Sequence, residues 1–361
     1  MTPGGAARRL ARRLACATGV HHMARRLHRR RLLIVCYHGV ADDDGATDSW
    51  LLLPRAELER QLDYLARHYR VRPIDEALAD LWAGRLREPT ACVTFDDGYR
   101  NNVRVALPLL QRLGIPATIY LATGMIGTAR LLWTTRLELA MRATAATSVD
   151  LGAVGLGGAE PLGDDAARAA LARRVASRLK RVSPAERDAT LARLHATLGD
   201  AGAASDRARP FALMSWDEVA AAARTGLVTF GGHTMNHEIV SRLDDAAVRA
   251  EVGGSMRAVA ERVDARAGTR TFAYPNGQPE DFDARAAAAV RDAGGSAAVS
   301  TIEGLNDATT DRYALRRVVV GGDMAFDDFR LACSGAYAAL KGMLARRRRA
   351  TSPPALAPAH S

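Results

Sequence analysis

The chain has 361 residues, enough for one large domain with an insertion or for two small domains, and its 48% hydrophobic content is that of an ordinary soluble globular protein. The formal net charge is +10, yet residues 1–31 hold nine arginines and no acid and Arg346 to Arg349 add four more, so the rest of the chain stands at −3. A specific nucleic-acid function would rest on tail charge alone, with no recognition motif behind it, and no stretch reaches the ~20 apolar residues of a membrane span.

Basic ends of this kind bind anionic lipid or other anionic polymers, or are simply solvated. Arg8-Arg9-Leu10-Ala11-Arg12-Arg13-Leu14 reads as a short basic amphipathic helix for a membrane surface. The apolar piece from Ala15 to Val20 is too short for a secretory signal. Cys16, Cys36, Cys92 and Cys333 fit neither a zinc spacing nor a disulfide framework, which points to a reducing compartment. The expected location is therefore the cytoplasm, with a peripheral contact at the inner face of the membrane.

In chain order, Leu32 to Tyr37 is a first buried strand with His38-Gly39 at its end. Leu58, Leu62 and Leu65 recur at helical spacing, Arg70 to Pro73 is extended, and Ile74 to Leu86 is helical. Ala91 to Phe95 is a second buried strand that ends in Asp96-Asp97-Gly98. A helix from Val103 stops at Gly114, and Ala117 to Leu121 is the next strand. Residues 124–213 then break the strand–helix rhythm: Leu131 to Ala146 is helical, Leu151 to Gly163 is loop, and Ala166 to Leu198 is helical with an interruption at Ser183-Pro184-Ala185-Glu186. This segment reads as a helical insertion, either packing or a substrate lid. The rhythm resumes with a capping box at Ser215-Trp216-Asp217-Glu218 and a strand from Leu227 to Gly231, followed by His233 and His237. A helix from Asp245 to Ala265, a strand from Thr271 to Tyr274, a helix from Phe282 to Ala293, and strands from Ala297 to Thr301 and from Leu315 to Val320 complete the pattern. A helix from Asp327 to Arg346 and a disordered, proline-containing tail from Thr351 to Ser361 end the chain.

Seven strands separated by helices make an α/β fold. Its polar residues, His38, Asp96, Asp97, His233, His237 and Asn276, gather just after strand C-termini, the face where α/β barrels carry their active sites. Two adjacent carboxylates at one strand end are costly unless a cation or a proton separates their roles. Two imidazoles and one carboxylate are a ligand set of the kind a catalytic zinc uses, with a position open for water. The remaining carboxylate is then the natural general base.

Thr94-Phe95-Asp96-Asp97-Gly98, His233-x-x-x-His237 and Phe272-Ala273-Tyr274-Pro275-Asn276-Gly277, in this order and spanning roughly residues 32 to 322, resemble the polysaccharide deacetylases of carbohydrate esterase family 4, the NodB-homology domain. The resemblance implies a distorted (β/α)7 barrel at residues 32–123 and 214–345, with the helical insertion between them. It implies a divalent metal, zinc first, held by Asp97, His233 and His237, with Asp96 as base and a metal-activated water as nucleophile. The substrate it implies is an N-acetylated amino-sugar glycan or its lipid-linked precursor, with Tyr274, Pro275 and Asn276 at the substrate or oxyanion position. Two departures stand out. Many relatives carry a late histidine as acid, and here no histidine lies between His237 and His360. The early Tyr37-His38-Gly39-Val40 resembles the circularly permuted branch, which makes His38 the acid. Ala273 stands where many relatives have an arginine that orients the base, leaving Arg316 or Arg317 as candidates and Arg270 as one at the opposite face. Trp133 and Trp216 are candidate sugar platforms, although core packing is the simpler role. An O-acetyl esterase and an inactive sugar-binding protein are the alternatives.

Overall fold

The computed structural model describes residue 14 and residues 16–42, 49–199 and 206–337. Seven parallel strands close a barrel: β1 (Leu32–Tyr37), β2 (Thr90–Phe95), β3 (Ala117–Leu121), β4 (Val228–Gly232), β5 (Gly268–Ala273), β6 (Ala297–Glu303) and β7 (Leu315–Val319). Each strand pairs with the next, and β1 closes the ring by pairing with β7 through Val35↔Val318 and with β2 through six consecutive residues. The ring is irregular. Register shifts interrupt β4–β5 and β6–β7, and a two-residue strand, Arg70–Val71, adds to β2 outside the ring.

These strands are legible as apolar runs because helices or barrel interior cover both faces. All six residues of β1 and of β2 are buried. Leu32, Ile34, Cys92, Tyr120, Val299 and Leu315 share one cluster with Ile74, Leu78 and Leu81 of the helix Ile74–Trp82. That helix follows Arg70–Val71, which pairs at the start of β2, so it closes the N-terminal end of the barrel. The opposite end, where the strands finish, is left to polar residues.

Several helix limits differ from the sequence reading for local reasons. The helix after β2 opens as a π-helix, Asn102–Ala106, before Leu107–Leu113. Pro108 has no N–H to give to the preceding turn, which favours the wider winding. Gly84 and Gly335, with φ of 62° and 79°, follow the ends of Ile74–Trp82 and Phe326–Ser334 sooner than periodicity suggested. Leu151 to Gly163 is not all loop, since Ser148–Asp150 pairs antiparallel with Ala159–Pro161. The expected basic helix at Arg8–Leu14, apart from Leu14, and the continuation to Arg346 and the tail lie outside the described residues.

Residues 124–213 hold three α-helices: α1 (Trp133–Ala143), α2 (Asp165–Leu179) and α3 (Pro184–Leu198). They share an apolar cluster of their own, including Leu137, Met141, Leu171, Val175, Leu191 and Leu194. The Ser183 hydroxyl accepts from the Glu186 N–H to cap α3, and Pro184 takes its first position. A part-buried ion pair is among the contacts that tie this segment to the barrel: the Arg187 guanidinium donates twice to the Glu238 carboxylate, at 2.6 and 2.8 Å. Among the described residues no helix is long and apolar enough to cross a membrane.

Candidate active site

The end of β2 sends its two acids in different directions. The Asp96 N–H donates to the Tyr37 carbonyl at 2.9 Å, continuing the β1–β2 ladder, while Asp97 turns to a φ of 73°. Gly98 follows at φ 84°, where a Cβ would also stand 2.9 Å from the Leu121 side chain. Left-handed backbone is costly for residues with a Cβ, and Asp97, Thr234, His237 and Asn276 are the only non-glycine residues to adopt it among those described. All four lie at or beside the barrel mouth, in the loops that carry the candidate ligands.

Asp96 is 2% exposed and is gripped by Arg317, which is 0% exposed: the guanidinium donates to Oδ1 at 2.7 Å and to Oδ2 at 2.6 Å. Arg317 is itself fixed by its Nε bond to the Ser300 carbonyl at 2.7 Å. The Cys36 thiol adds a longer contact to Oδ2 at 3.4 Å. Burial pushes the Asp96 carboxyl up, but the Arg317 charge and hydrogen bonds, together with His233 and His38, outweigh this and hold it below the usual carboxylate range. Asp96 is thus an ionised acceptor locked in one rotamer. Arg316 is exposed, its side chain lying against Gly304, and Arg270 binds the Gly294 carbonyl away from the site. Of the three arginines considered, Arg317 alone touches Asp96.

Asp97 faces the two histidines. Its Oδ1 lies 3.4 Å from His233 Nε2 and 3.2 Å from His237 Nε2, and that buried oxygen has no hydrogen-bond partner. The His233 Nδ1 is 2.8 Å from the Ala273 carbonyl, so the ring donates there and presents the Nε2 lone pair to Asp97. Thr234 keeps a turn role, its hydroxyl accepting from the Glu238 N–H at 3.1 Å. One carboxylate oxygen and two imidazole nitrogens that converge within 4.8 Å of one another fit a divalent cation. Burial raises the Asp97 carboxyl, and in their imidazolium form the two rings would donate to it and hold it well below its ordinary value.

His38 follows β1 on the other side of Asp96. A His38 ring nitrogen, the Cys36 sulfur and an Asp96 oxygen lie within 4.8 Å of one another, and the ring packs edge-on to Trp50 at 5.3 Å. Its buried Nδ1 has no hydrogen-bond partner. Burial lowers the His38 pKa, and the two aspartates pull it only partly back.

These groups line a cavity of about 500 Å³ that also takes in Asn276, Trp50, Trp133 and Lys180. The Tyr274-Pro275-Asn276 stretch does not enter as one unit. The Tyr274 ring stacks on Phe282 at 4.4 Å, in an outer cluster with Phe272, and only Asn276 of the three reaches the cavity. Trp216 does not line it either, having Arg262 over its ring at 4.9 Å. Sequence reasoning missed Trp50 and Lys180. The Lys180 amine donates to Asn276 Oδ1 at 2.6 Å, and burial lowers its pKa. The four-residue spacing of Ala172, Ala176 and Lys180 was the available signal.

A closed parallel barrel with a paired-aspartate, paired-histidine mouth defines a class of hydrolase-like α/β barrels, and comparison with known proteins narrows it. The family profile described as polysaccharide deacetylase matches residues 83–157 and 185–298, more than half of the chain, and the chain belongs to that family. A stretch of 99 residues is 28% identical to YxkH of Bacillus subtilis (strain 168), covering 27% of this chain and 34% of that protein. The chain thus spans about a third of the length of that curated relative. Among solved structures, the Streptococcus pyogenes deacetylase PplD, in complex with acetate, aligns over 84% of this chain and 98% of its own, with a TM-score of 0.54 and 14% identity. IcaB from Ammonifex degensii aligns over 84% and 97%, with a TM-score of 0.53 and 19% identity. A de-N-acetylase from Aggregatibacter actinomycetemcomitans covers 84% and 99%, with a TM-score of 0.51 and 15% identity. At these identities the structural matches establish the (β/α)7 fold. Membership places the chain in a family of polysaccharide deacetylases that is generally metal-dependent.

Proposed function

We propose that the chain removes N-acetyl groups from amino-sugar residues of a polysaccharide or its lipid-linked precursor, with zinc held by Asp97, His233 and His237. The observation that carries this reading is the division of labour between neighbours: Asp96 is clamped by Arg317, while Asp97 Oδ1 is turned to two imidazole nitrogens. A divalent ion bound there supplies Lewis acidity, polarising the acetyl carbonyl and lowering the pKa of water. Asp96 accepts the proton of the attacking water, its ionised state maintained by Arg317. The His38 ring gives a proton to the departing sugar amine as the C–N bond breaks, so amide and water become amine and acetate. A backbone N–H at Asn276 supports the developing oxyanion, its position steadied by the Asn276 carbonyl's bond from the Thr301 hydroxyl.

Acetate release from N-acetylglucosamine oligomers tests this. Asp96→Asn is expected to lower turnover by ~10³-fold or more while zinc still binds the metal-stripped protein one to one. Unchanged turnover removes Asp96 from the base role. His233→Ala is expected to abolish that zinc binding in a titration. An O-acetyl esterase has a better leaving group and needs the acid less. His38→Ala is therefore expected to lose amide substrates and, under the esterase alternative, to keep ester ones. A sugar-binding protein without turnover has no use for the Asp96–Arg317 clamp.

The proposed division of the chain is a basic segment at 1–31, the barrel at 32–123 and 214–345, the insertion at 124–213 and a tail at 346–361. A peripheral contact with the inner face of the membrane belongs to the same reading. Leu14, Val20, Met23 and Leu27 are four of the five exposed large hydrophobic residues among those described, and they lie in the most basic part of the chain.

A further inference from the structure

The side of α2 that meets the cleft carries groups the mechanism leaves unused. Two neighbouring rows at four-residue spacing line the cavity, Ala172, Ala176 and Lys180 in one, and Arg173, Ser177 and Arg181 in the other. Small side chains at Ala172, Ala176 and Ser177 make a low floor. Arg173 bounds it at one end and Lys180 with Arg181 at the other. Arg242, beyond β4, reinforces the second end, its Nε donating to the Lys180 carbonyl at 3.2 Å. The bond from Lys180 to Asn276 joins this trough to the site itself.

Five carboxylates, Asp96, Asp97, Glu138, Glu280 and Asp281, line the cavity with four cations, Arg173, Lys180, Arg181 and Arg242, and most of the carboxylates are already engaged by other groups. Asp281 accepts from the Asn276 amide and from the Gln278 N–H, and Glu138 lies 3.5 Å from Arg142. Glu280 is the remaining carboxylate of the lining outside the site. Among the described residues the guanidinia of Arg173 and Arg181 make no hydrogen bond and no ion pair. Arg173 feels the Glu138 charge without a direct contact, so both guanidinia keep their N–H groups free, and each fork fits a carboxylate or a phosphate in two-point contact.

We infer that this trough receives an oxyanion-bearing part of the substrate, a carboxylate or a phosphate attached to or next to the amino sugar that loses its acetyl group. The inference rests on the deacetylase reading and narrows its substrate to an anionic glycan. The guanidinia of Arg173 and Arg181 offer one anion position at each end of the trough, and Lys180 completes the end nearest the reacting amide.

Calorimetric titration of the full chain compares charged probes with neutral counterparts. A tetrasaccharide of alternating glucuronate and N-acetylglucosamine is set against an N-acetylglucosamine tetramer, and N-acetylglucosamine 1-phosphate against N-acetylglucosamine, with acetate release followed in parallel. The expected result is about tenfold tighter binding of one charged probe, lost at roughly 0.5 M salt. The probe that gains identifies the anion as carboxylate or phosphate. The Arg173→Ala, Arg181→Ala double variant is expected to equalise charged and neutral probes, whereas the double Lys variant keeps most of the preference. Equal binding of charged and neutral probes by the wild type overturns the inference, as does a preference that survives the double Ala change in a protein with unaltered melting. The two readings fail separately. Acetate release without charge preference sinks the trough alone, and charge-selective binding with no acetate from any probe sinks the deacetylase reading.

Discussion

At the barrel mouth, Asp96 and Arg317 are 2% and 0% exposed and satisfy each other through two short hydrogen bonds. Across the cleft, Arg173 on α2 and Arg181 in the turn that follows it are exposed and stand apart on either side of small residues. The first arrangement is a buried pair whose desolvation is costly, and such pairs are better explained by what they fix than by what they stabilise. Here the pair fixes one carboxylate in one rotamer and one charge state. The second keeps its charges solvated until something arrives to meet them. Within one cleft, charge serves as a rigid tool on the strands and as a receptive surface on the helices.

Arg317→Ala attacks the rigid side and should have the largest effect. It leaves Asp96 buried and unpaired, and a loss of about 3–5 kcal/mol is expected in denaturant titration. The pH response gives a second readout. Because Arg317 draws the Asp96 pKa below its ordinary value, the wild-type pair contributes stability that is full above the unfolded value of about 3.9 and is lost as pH falls through the folded one. In the variant that loss moves to higher pH, and the acid limb of turnover moves with it. Turnover with an unshifted acid limb would mean that Arg317 does not govern the base.

Arg187→Ala tests the joint between the two regions. Arg187 is 7% exposed and its pair with Glu238 sits beside His237, so the expected loss is about 2–3 kcal/mol, with weaker substrate binding and a turnover less affected than in Arg317→Ala. A fall in turnover as large as that of Arg317→Ala would show that the helical segment shapes the reacting groups as well as the substrate. Ser183→Ala is the mildest test, removing the cap of α3 for about 1 kcal/mol in thermal melting with no change in zinc binding.

The rigid side was largely legible from the amino-acid order. Strands covered on both faces appear as unbroken apolar runs, and polar residues at their ends stand out against them. Alternation also held information about Tyr274: it lies two residues after Phe272, and both side chains join the same outer cluster. Alternation guarantees that Arg316 and Arg317 face opposite sides but does not say which side is inward, so both stayed in play until the barrel was assembled. The receptive side was harder to see. A helical row of alanine and arginine reads the same whether it faces solvent or a cleft, and Lys180 gains meaning only from Asn276, distant in sequence. Trp50 was hidden for the same reason, meeting His38 only through the fold.

The closure of β1 onto β7 has a consequence for how relatives should be aligned. A ring has no first strand. Going round it, the candidate site residues follow in a cycle: His38 after β1, the aspartates after β2, the histidines after β4, Asn276 after β5 and Arg317 on β7, which again adjoins β1. The helices flanking the ring's opening, Val20–Leu27 and Phe326–Ser334, meet through the His28 ring and the Ser334 carbonyl at 2.9 Å. An acid encoded early in one chain and late in another can therefore occupy one point on the same circle. For a closed ring, angular position around the barrel axis is therefore a better coordinate for comparison than linear order.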